Sequence, residues 1–143
     1  MTVQTLAERA PLHDYTIESV LIEAQKRRML VRAFDAHSPA APASLAEFTG
    51  LAAYYLVGDV LGTILFDVKE ADPMALYREF ESDLRSTYDR NGGHDPWVRT
   101  AKTAQEFIET NAIRGFELSS SIGVAGAIWS RGFSTWQDQR DPA

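Results

Sequence analysis

The chain contains no cysteine, and this absence excludes several classes of protein at once. Without thiols it can form no disulfide, no thiolate zinc or iron–sulfur site, and no cysteine nucleophile. Residues 1–13 also lack the basic start and continuous apolar run of a signal peptide, so we expect them to belong to the mature chain. Together these features predict a cytoplasmic protein.

The chain has fewer positive than negative residues: 14 Lys and Arg and 20 Asp and Glu give a formal net charge of −6. Negative charge repels phosphate backbones at long range, which argues against nucleic acid as a partner. The most apolar stretch, residues 45–68, carries Asp59 near its middle. A charged residue there would cost about 2.5–3.5 kcal/mol on insertion into a bilayer, so we expect no membrane partner either.

The spacing of apolar residues predicts an all-α fold, a single helical domain over residues 1–143 with about five helices. Ser44 and Glu47 form a capping-box pattern, and an aspartate–proline pair opens each of two later segments. The predicted helices cover residues 15–36, 44–68, 73–91, 96–114 and 117–131. Residues 1–13 and 137–143 are expected to be loose termini.

Three glycines leave the second predicted helix open to another interpretation. Gly50, Gly58 and Gly62 each cost up to about 1 kcal/mol in a helix relative to alanine. Either they allow a neighbouring backbone to approach closely, or the helix breaks near Gly58. In the second case, residues 59–68 contain a strand.

The sequence contains no recognisable metal-ligand or nucleotide-binding motif, and we therefore predict no metal and no cofactor. No histidine has a carboxylate three residues upstream, as helical di-iron sites require, and no glycine-rich phosphate loop precedes a Lys-Ser or Lys-Thr pair. One pair, Arg90 and His94, could bind phosphate and transfer a proton. A small metal-independent ribonuclease or acid–base enzyme using these two residues is the first alternative function.

The carboxyl-terminal aromatic residues indicate an interaction function instead. Trp129, Phe133 and Trp136 are spaced so that a continuing helix would carry them on one face, where they would form an apolar patch if left uncovered. Gly58 and Gly62 lie one helical turn apart and would allow close contact with another helix. These five residues are the predicted partner-binding site.

The absence of reactive clusters favours a non-enzyme. We expect a non-catalytic helical interaction module, an accessory subunit, adaptor or regulator that works through an apolar helical surface. Its partner would be another protein or a second copy of the chain, most simply as a dimer. A second alternative is a small-ligand sensor with a cavity lined by Tyr54, Tyr55 and Trp97.

Overall fold

A computed structural model describes residues 12–38, 40–58, 64–90, 96–122 and 125–138. In these residues the chain forms a closed barrel of antiparallel strands with two helices packed on its outside. The strands are β1 Thr16–Glu23, β2 Arg28–Phe34, β3 Ser44–Val57, β4 Ile64–Ala71, β5 Arg114–Ile122 and β6 Ala125–Gln137. The helices are α1 Pro73–Arg90 and α2 Ala101–Asn111, preceded by a 3-10 turn at Pro96–Val98.

The order of strands around the barrel is β1-β2-β3-β6-β5-β4. The longest ladder joins β3 to β6, from Ser44 opposite Gln137 to Val57 opposite Ala125. The ring closes where Thr16 of β1 pairs with Ile64 of β4. Sequence-remote strands therefore lie side by side in the centre of the fold.

The all-α prediction is wrong. Residues 15–36 form the β1–β2 hairpin, residues 44–68 contain β3 and the start of β4, and the described residues of the range 117–131 belong to β5 and β6. Within the described part of the chain, helix occurs only inside the predicted ranges 73–91 and 96–114. The strand alternative for residues 59–68 overlaps β4, which begins at Ile64, and residues 59–63 lie outside the described residues.

A β-bulge explains why β1 has helix-like spacing. The ladder between β1 and β2 shifts between Ile17 and Ser19. Ile17 and Val20, three residues apart, consequently both contact the barrel core. In a regular strand residues three apart point to opposite faces, so the bulge gives a strand the apolar interval of a helix.

Burial on both faces explains why β3 and β6 look like continuous apolar runs. Phe48 of β3 and Ile128 of β6 pack inside the barrel. Tyr55 and Trp129, on the opposite faces of the same strands, pack against the helices. A strand covered on both sides loses the alternation of apolar and polar residues that would distinguish it from a helix.

The protein has two apolar cores on either side of the sheet. The first fills the barrel and includes Leu12, which precedes β1. The second lies between the sheet and the helices and contains the following aromatic side chains: Tyr55, Tyr77, Phe80, Trp97, Phe107 and Trp129. β6 contributes to both cores and therefore couples the barrel to its helical layer.

Local hydrogen bonds determine where the helices begin and end. Asp72 accepts a hydrogen bond from the backbone N–H of Ala75 at 2.8 Å, which caps α1 just before Pro73. Thr100 and Thr103 form a reciprocal capping box at the start of α2, and Ala112 ends that helix in the left-handed conformation. Of the described helices, neither combines the length and apolar character required to cross a membrane.

Candidate functional site

The three predicted aromatic residues on β6 occupy different environments. Trp129 is fully buried, and its Nε1 donates a hydrogen bond to the carbonyl oxygen of Pro73 at 3.0 Å. Phe133 lies inside the barrel, with its ring centroid 4.8 Å from that of Phe48. Trp136 is 37% exposed to solvent. The structure does not bring the three into one patch, because β6 is a strand and not the helix on which the grouping was based.

The remaining predicted residues are described only in part. Gly58 directly follows β3 and is exposed. Gly62 and His94 lie outside the described residues, and Arg90 is described only as the last backbone position of α1. The enzyme alternative based on Arg90 and His94 therefore stays a prediction.

Tyr54, Tyr55 and Trp97 do not line one cavity. Neighbouring residues of a strand point to opposite faces, and here Tyr55 packs under α1 with its ring centroid 5.5 Å from that of Phe80. Tyr54 lies on the other face and is 43% exposed. Trp97 stacks on Phe107, with 4.9 Å between ring centroids.

A different feature, missed in the sequence, is the free edge of β3. β2 pairs with β3 from Ala33 opposite Ser44 to Arg28 opposite Thr49. One further hydrogen bond follows, in which the N–H of Leu51 donates to the carbonyl oxygen of Arg27 at 2.8 Å. Residues 52–57, named here the β3 edge, pair with β6 on one side and with no other strand of the described chain.

The local backbone explains why β3 leaves β2 at this point. Gly50 has a φ of +59°, a conformation that side-chain-bearing residues rarely adopt, and the β3–β6 register shifts between Leu51 and Ala53. β2 begins only at Arg28, directly after the turn that joins β1 to β2. β3 therefore continues past β2, and one row of its backbone hydrogen-bonding groups has no partner strand among the described residues.

The β3 edge carries no charge. No Asp, Glu, Lys or Arg occurs from Phe48 to Gly58. Tyr54 and Val57 are 43% and 51% exposed, which is high for large apolar side chains. Natural proteins usually protect an open edge with charged residues or proline, and this edge has neither.

The β3 edge is held in place by its surroundings. Its other side is paired with β6 as far as Val57 opposite Ala125. Tyr55 fixes one face beneath α1, where burial and the neighbouring carboxylate of Asp83 raise the pKa of the phenol. An incoming strand would thus meet a template that is already in the β conformation.

The outer face of β1 and β2 differs from the β3 edge because its charges are already paired. Arg28 donates to Glu47 and, at 2.9 Å, to Glu23. Arg32 donates to Glu18 at 2.9 Å and to Asp138 at 2.8 Å. Such partly exposed pairs contribute little to stability individually, but they make this face polar.

Another ion pair lies at the end of the barrel where β4 ends and β5 begins. Arg114 donates to both carboxylate oxygens of Glu70, at 2.9 and 2.7 Å, and its guanidinium lies 5.2 Å from the ring centroid of Phe116. The Arg114 guanidinium holds the pKa of Glu70 below its ordinary value. The Arg114 side chain lies over Phe116, which belongs to the barrel core. The ion pair therefore has a structural role in this position.

Metal ligation and comparison with known proteins give no further indication of function. Across the described ranges, no three His, Asp or Glu side chains are grouped to hold a metal ion. The chain has no significant match to a family model, a curated protein or a solved structure. The β3 edge is therefore the candidate functional site on structural grounds alone.

Proposed function

We propose that this protein is a non-catalytic interaction module that binds a protein partner by strand addition at the β3 edge. The observation that carries the proposal is the uncharged strand segment 52–57, in which Tyr54 and Val57 are exposed and one side has no partner strand in the described structure. The helical surface expected from the sequence is replaced by a sheet edge. An accessory subunit, adaptor or regulator in the cytoplasm remains the proposed role.

Strand addition fits the chemistry of this edge. In this mode, main-chain hydrogen bonds supply affinity, and side chains that alternate along the strand supply specificity. Tyr54 provides an aromatic contact on one face, and Val57 extends the exposed apolar surface. The template is fixed by β6 and α1, so binding orders little of the protein itself and loses little free energy to that ordering.

Titration with a strand-forming peptide tests the proposal. The probe is a short peptide of alternating threonine and valine with two lysines at each end, added to isotope-labelled protein. We expect amide chemical-shift changes and slower amide exchange concentrated at residues 52–57. Tyr54→Lys should weaken binding by about tenfold or more, because charges on an edge oppose strand pairing.

Trp136→Lys is the matched control, since Trp136 is similarly exposed but lies at the far end of the β3–β6 ladder. Its binding should equal that of the unmodified protein. Shifts scattered over the surface, or no binding at millimolar peptide, would contradict strand addition at the β3 edge.

A further inference from the structure

We infer that the strand added at the β3 edge is the carboxyl-terminal end of a partner protein, antiparallel to β3, with its free carboxylate at the Gly50 end of the edge. The inference rests on the proposed function and adds the direction of the strand and the chemistry of its end. Two observations carry it: the tip of the β1–β2 hairpin closes one end of the edge, and basic side chains lie at that end.

The tip of the β1–β2 hairpin, residues 24–27, lies in the path of an added strand. The carbonyl oxygen of Arg27 accepts a hydrogen bond from the N–H of Leu51 at 2.8 Å, so Arg27 lies beside β3 immediately before the β3 edge begins. Beyond it the same path is filled by β2, which pairs with β3 from Arg28 onward. An added strand can therefore pair along residues 52–57, but at Arg27 it must either end or bend out of the sheet. A chain terminus meets this boundary without a bend.

Basic side chains lie at the closed end of the β3 edge. Lys26 and Arg27 belong to the hairpin tip, and both are exposed. Arg131 of β6 contributes from the other side of β3. Its Cβ, Cγ and Cδ atoms would each lie 2.8 Å from a Cβ atom at Gly50, so its exposed side chain lies against β3 just before Leu51.

The charge at this end is positive, although the whole chain has a net charge of −6. The carboxylates of Glu23 and Glu47 both accept hydrogen bonds from Arg28. We name the group formed by these residues and their basic neighbours the basic end, and it has more cationic than anionic side chains: Glu23, Lys26, Arg27, Arg28, Glu47 and Arg131. A carboxylate at the basic end therefore meets a surplus of positive charge.

The antiparallel direction places the carboxyl end of the added strand at the basic end. β2 runs antiparallel to β3 and begins at Arg28, so a strand that runs in the same direction on the same line ends where β2 begins. Antiparallel pairs are also slightly more stable per residue than parallel pairs. The parallel direction would instead bring a positively charged amino terminus, or a bend in the chain, to the basic end. Charge complementarity thus favours a carboxyl terminus over an internal segment.

The segment 119–122 of β5 shows why lack of charge alone does not define such a site. It is also uncharged and has no β6 partner among the described residues. However, no Lys or Arg occurs from Leu118 to Ser130, and β4 places Asp67 opposite Ser119. A carboxylate there would find a negative neighbour and no cation from this part of β5 and β6.

Comparison of a free-acid peptide with its amide tests the inference. Both probes have two lysines followed by six alternating threonine and valine residues, and they differ only in a free or an amidated carboxyl end. Amidation removes the negative charge, so we expect the free-acid peptide to bind about fivefold more tightly. Added salt should reduce this difference, because it screens exposed charges. Fluorescence anisotropy of a dye on the amino end measures both affinities.

Arg131→Gln tests the contribution of the basic end. It should weaken binding of the free-acid peptide and leave binding of the amide almost unchanged, because only the acid carries the charge that Arg131 attracts. Lys69→Gln is the matched control, since Lys69 is an exposed cation on β4, and β6 and β5 lie between β4 and β3. Both affinities should be unchanged in this variant. Circular dichroism checks the folding of each variant, and the acid–amide comparison on the unmodified protein decides the inference without either of them.

A spin label on the amino end of the free-acid peptide tests the direction of the strand. Antiparallel pairing predicts that the label broadens the amide signal of Val57 more than that of Leu51. The reverse order, or equal affinities of the acid and the amide, overturns the inference, while shifts at residues 52–57 would still support strand addition. Failure of both peptides to bind at these residues would contradict the proposed function and the inference with it.

Discussion

The Glu70–Arg114 pair shows how a single interaction connects two strands and makes stability depend on pH. Its two hydrogen bonds, at 2.9 and 2.7 Å, join the end of β4 to the start of β5. Both side chains are about three-quarters covered, at 26% and 29% exposure. Solvent screening is therefore incomplete, and the bidentate geometry favours a measurable contribution.

Replacing Glu70 should reduce stability only while the native carboxylate is ionised. The folded-state pKa of Glu70 lies below its unfolded value of about 4.5, so the contribution is present above that value and is lost as pH falls through the folded pKa. Glu70→Gln should lower the free energy of unfolding by about 1 kcal/mol at pH 7. Urea denaturation at pH 7 and near pH 3 checks this; an equal loss at both values would show that charge is not responsible.

Individual residues also show which parts of the candidate site were predictable. The uncharged run from Phe48 to Gly58 is visible in the sequence, but its meaning depends on where β2 ends. Helical spacing placed Trp129, Phe133 and Trp136 in one partner-binding patch, but the structure buries the first two and leaves Trp136 37% exposed. Which of them faces solvent could not follow from spacing, because that depends on the strand state of β6 and on α1 lying over Trp129.

At the scale of elements, the start of α1 was predictable from its capping signal, whereas the strands were not. Asp72 with Pro73 marks the start of α1 in the sequence, and the same side chain caps the helix in the structure. A capping pattern does not by itself decide the element, because Ser44 and Glu47 form a capping-box pattern and yet lie in the first part of β3. β3 instead carries apolar residues on both faces because the barrel core covers one face and α1 covers the other, and most residues of these two layers lie far away in the chain.

Close packing around Gly126 makes the β3–β6–β5 centre sensitive to one added carbon. Gly126 pairs with Leu56 on β3 and with Leu118 on β5. A Cβ atom there would lie 1.8 Å from the carbonyl oxygen of Tyr55, which is backbone and cannot rotate away. Gly126→Ala should therefore cost about 3 kcal/mol of unfolding free energy and shift the neighbouring β3 edge.

Gly132→Ala is the matched control on the same strand. Its Cβ would lie 2.5 Å from the side-chain hydroxyl of Thr49, which a change of rotamer can move. We expect a loss below about 1 kcal/mol. The free energy of unfolding of both variants is measured by urea denaturation monitored by circular dichroism. An equal decrease in the two variants would contradict the prediction, because it would show that the Tyr55 backbone moves to accept the added carbon at position 126.

The whole molecule depends on contacts between distant parts of the chain. Ser44 pairs with Gln137, and Thr16 pairs with Ile64 to close the ring. β6 is the last described strand, yet it lies between β3 and β5 and supplies residues to both cores. Neither core can be completed until β6 is in place, so we expect the barrel and the helical layer to fold together.

Refolding kinetics test this coupling between distant strands. A chain dominated by non-local strand pairs should refold between about a millisecond and a second, more slowly than a helical bundle of this length. Stopped-flow dilution from urea can follow the fluorescence of Trp97 and Trp129, whose indoles become buried between the sheet and the helices. Trp136→Phe removes the exposed tryptophan from the signal. Complete recovery of this tryptophan fluorescence well before the far-ultraviolet circular dichroism of the strands returns would show that the helical layer and the Trp129 segment of β6 pack before the barrel is complete, contrary to the expectation that the two layers fold together.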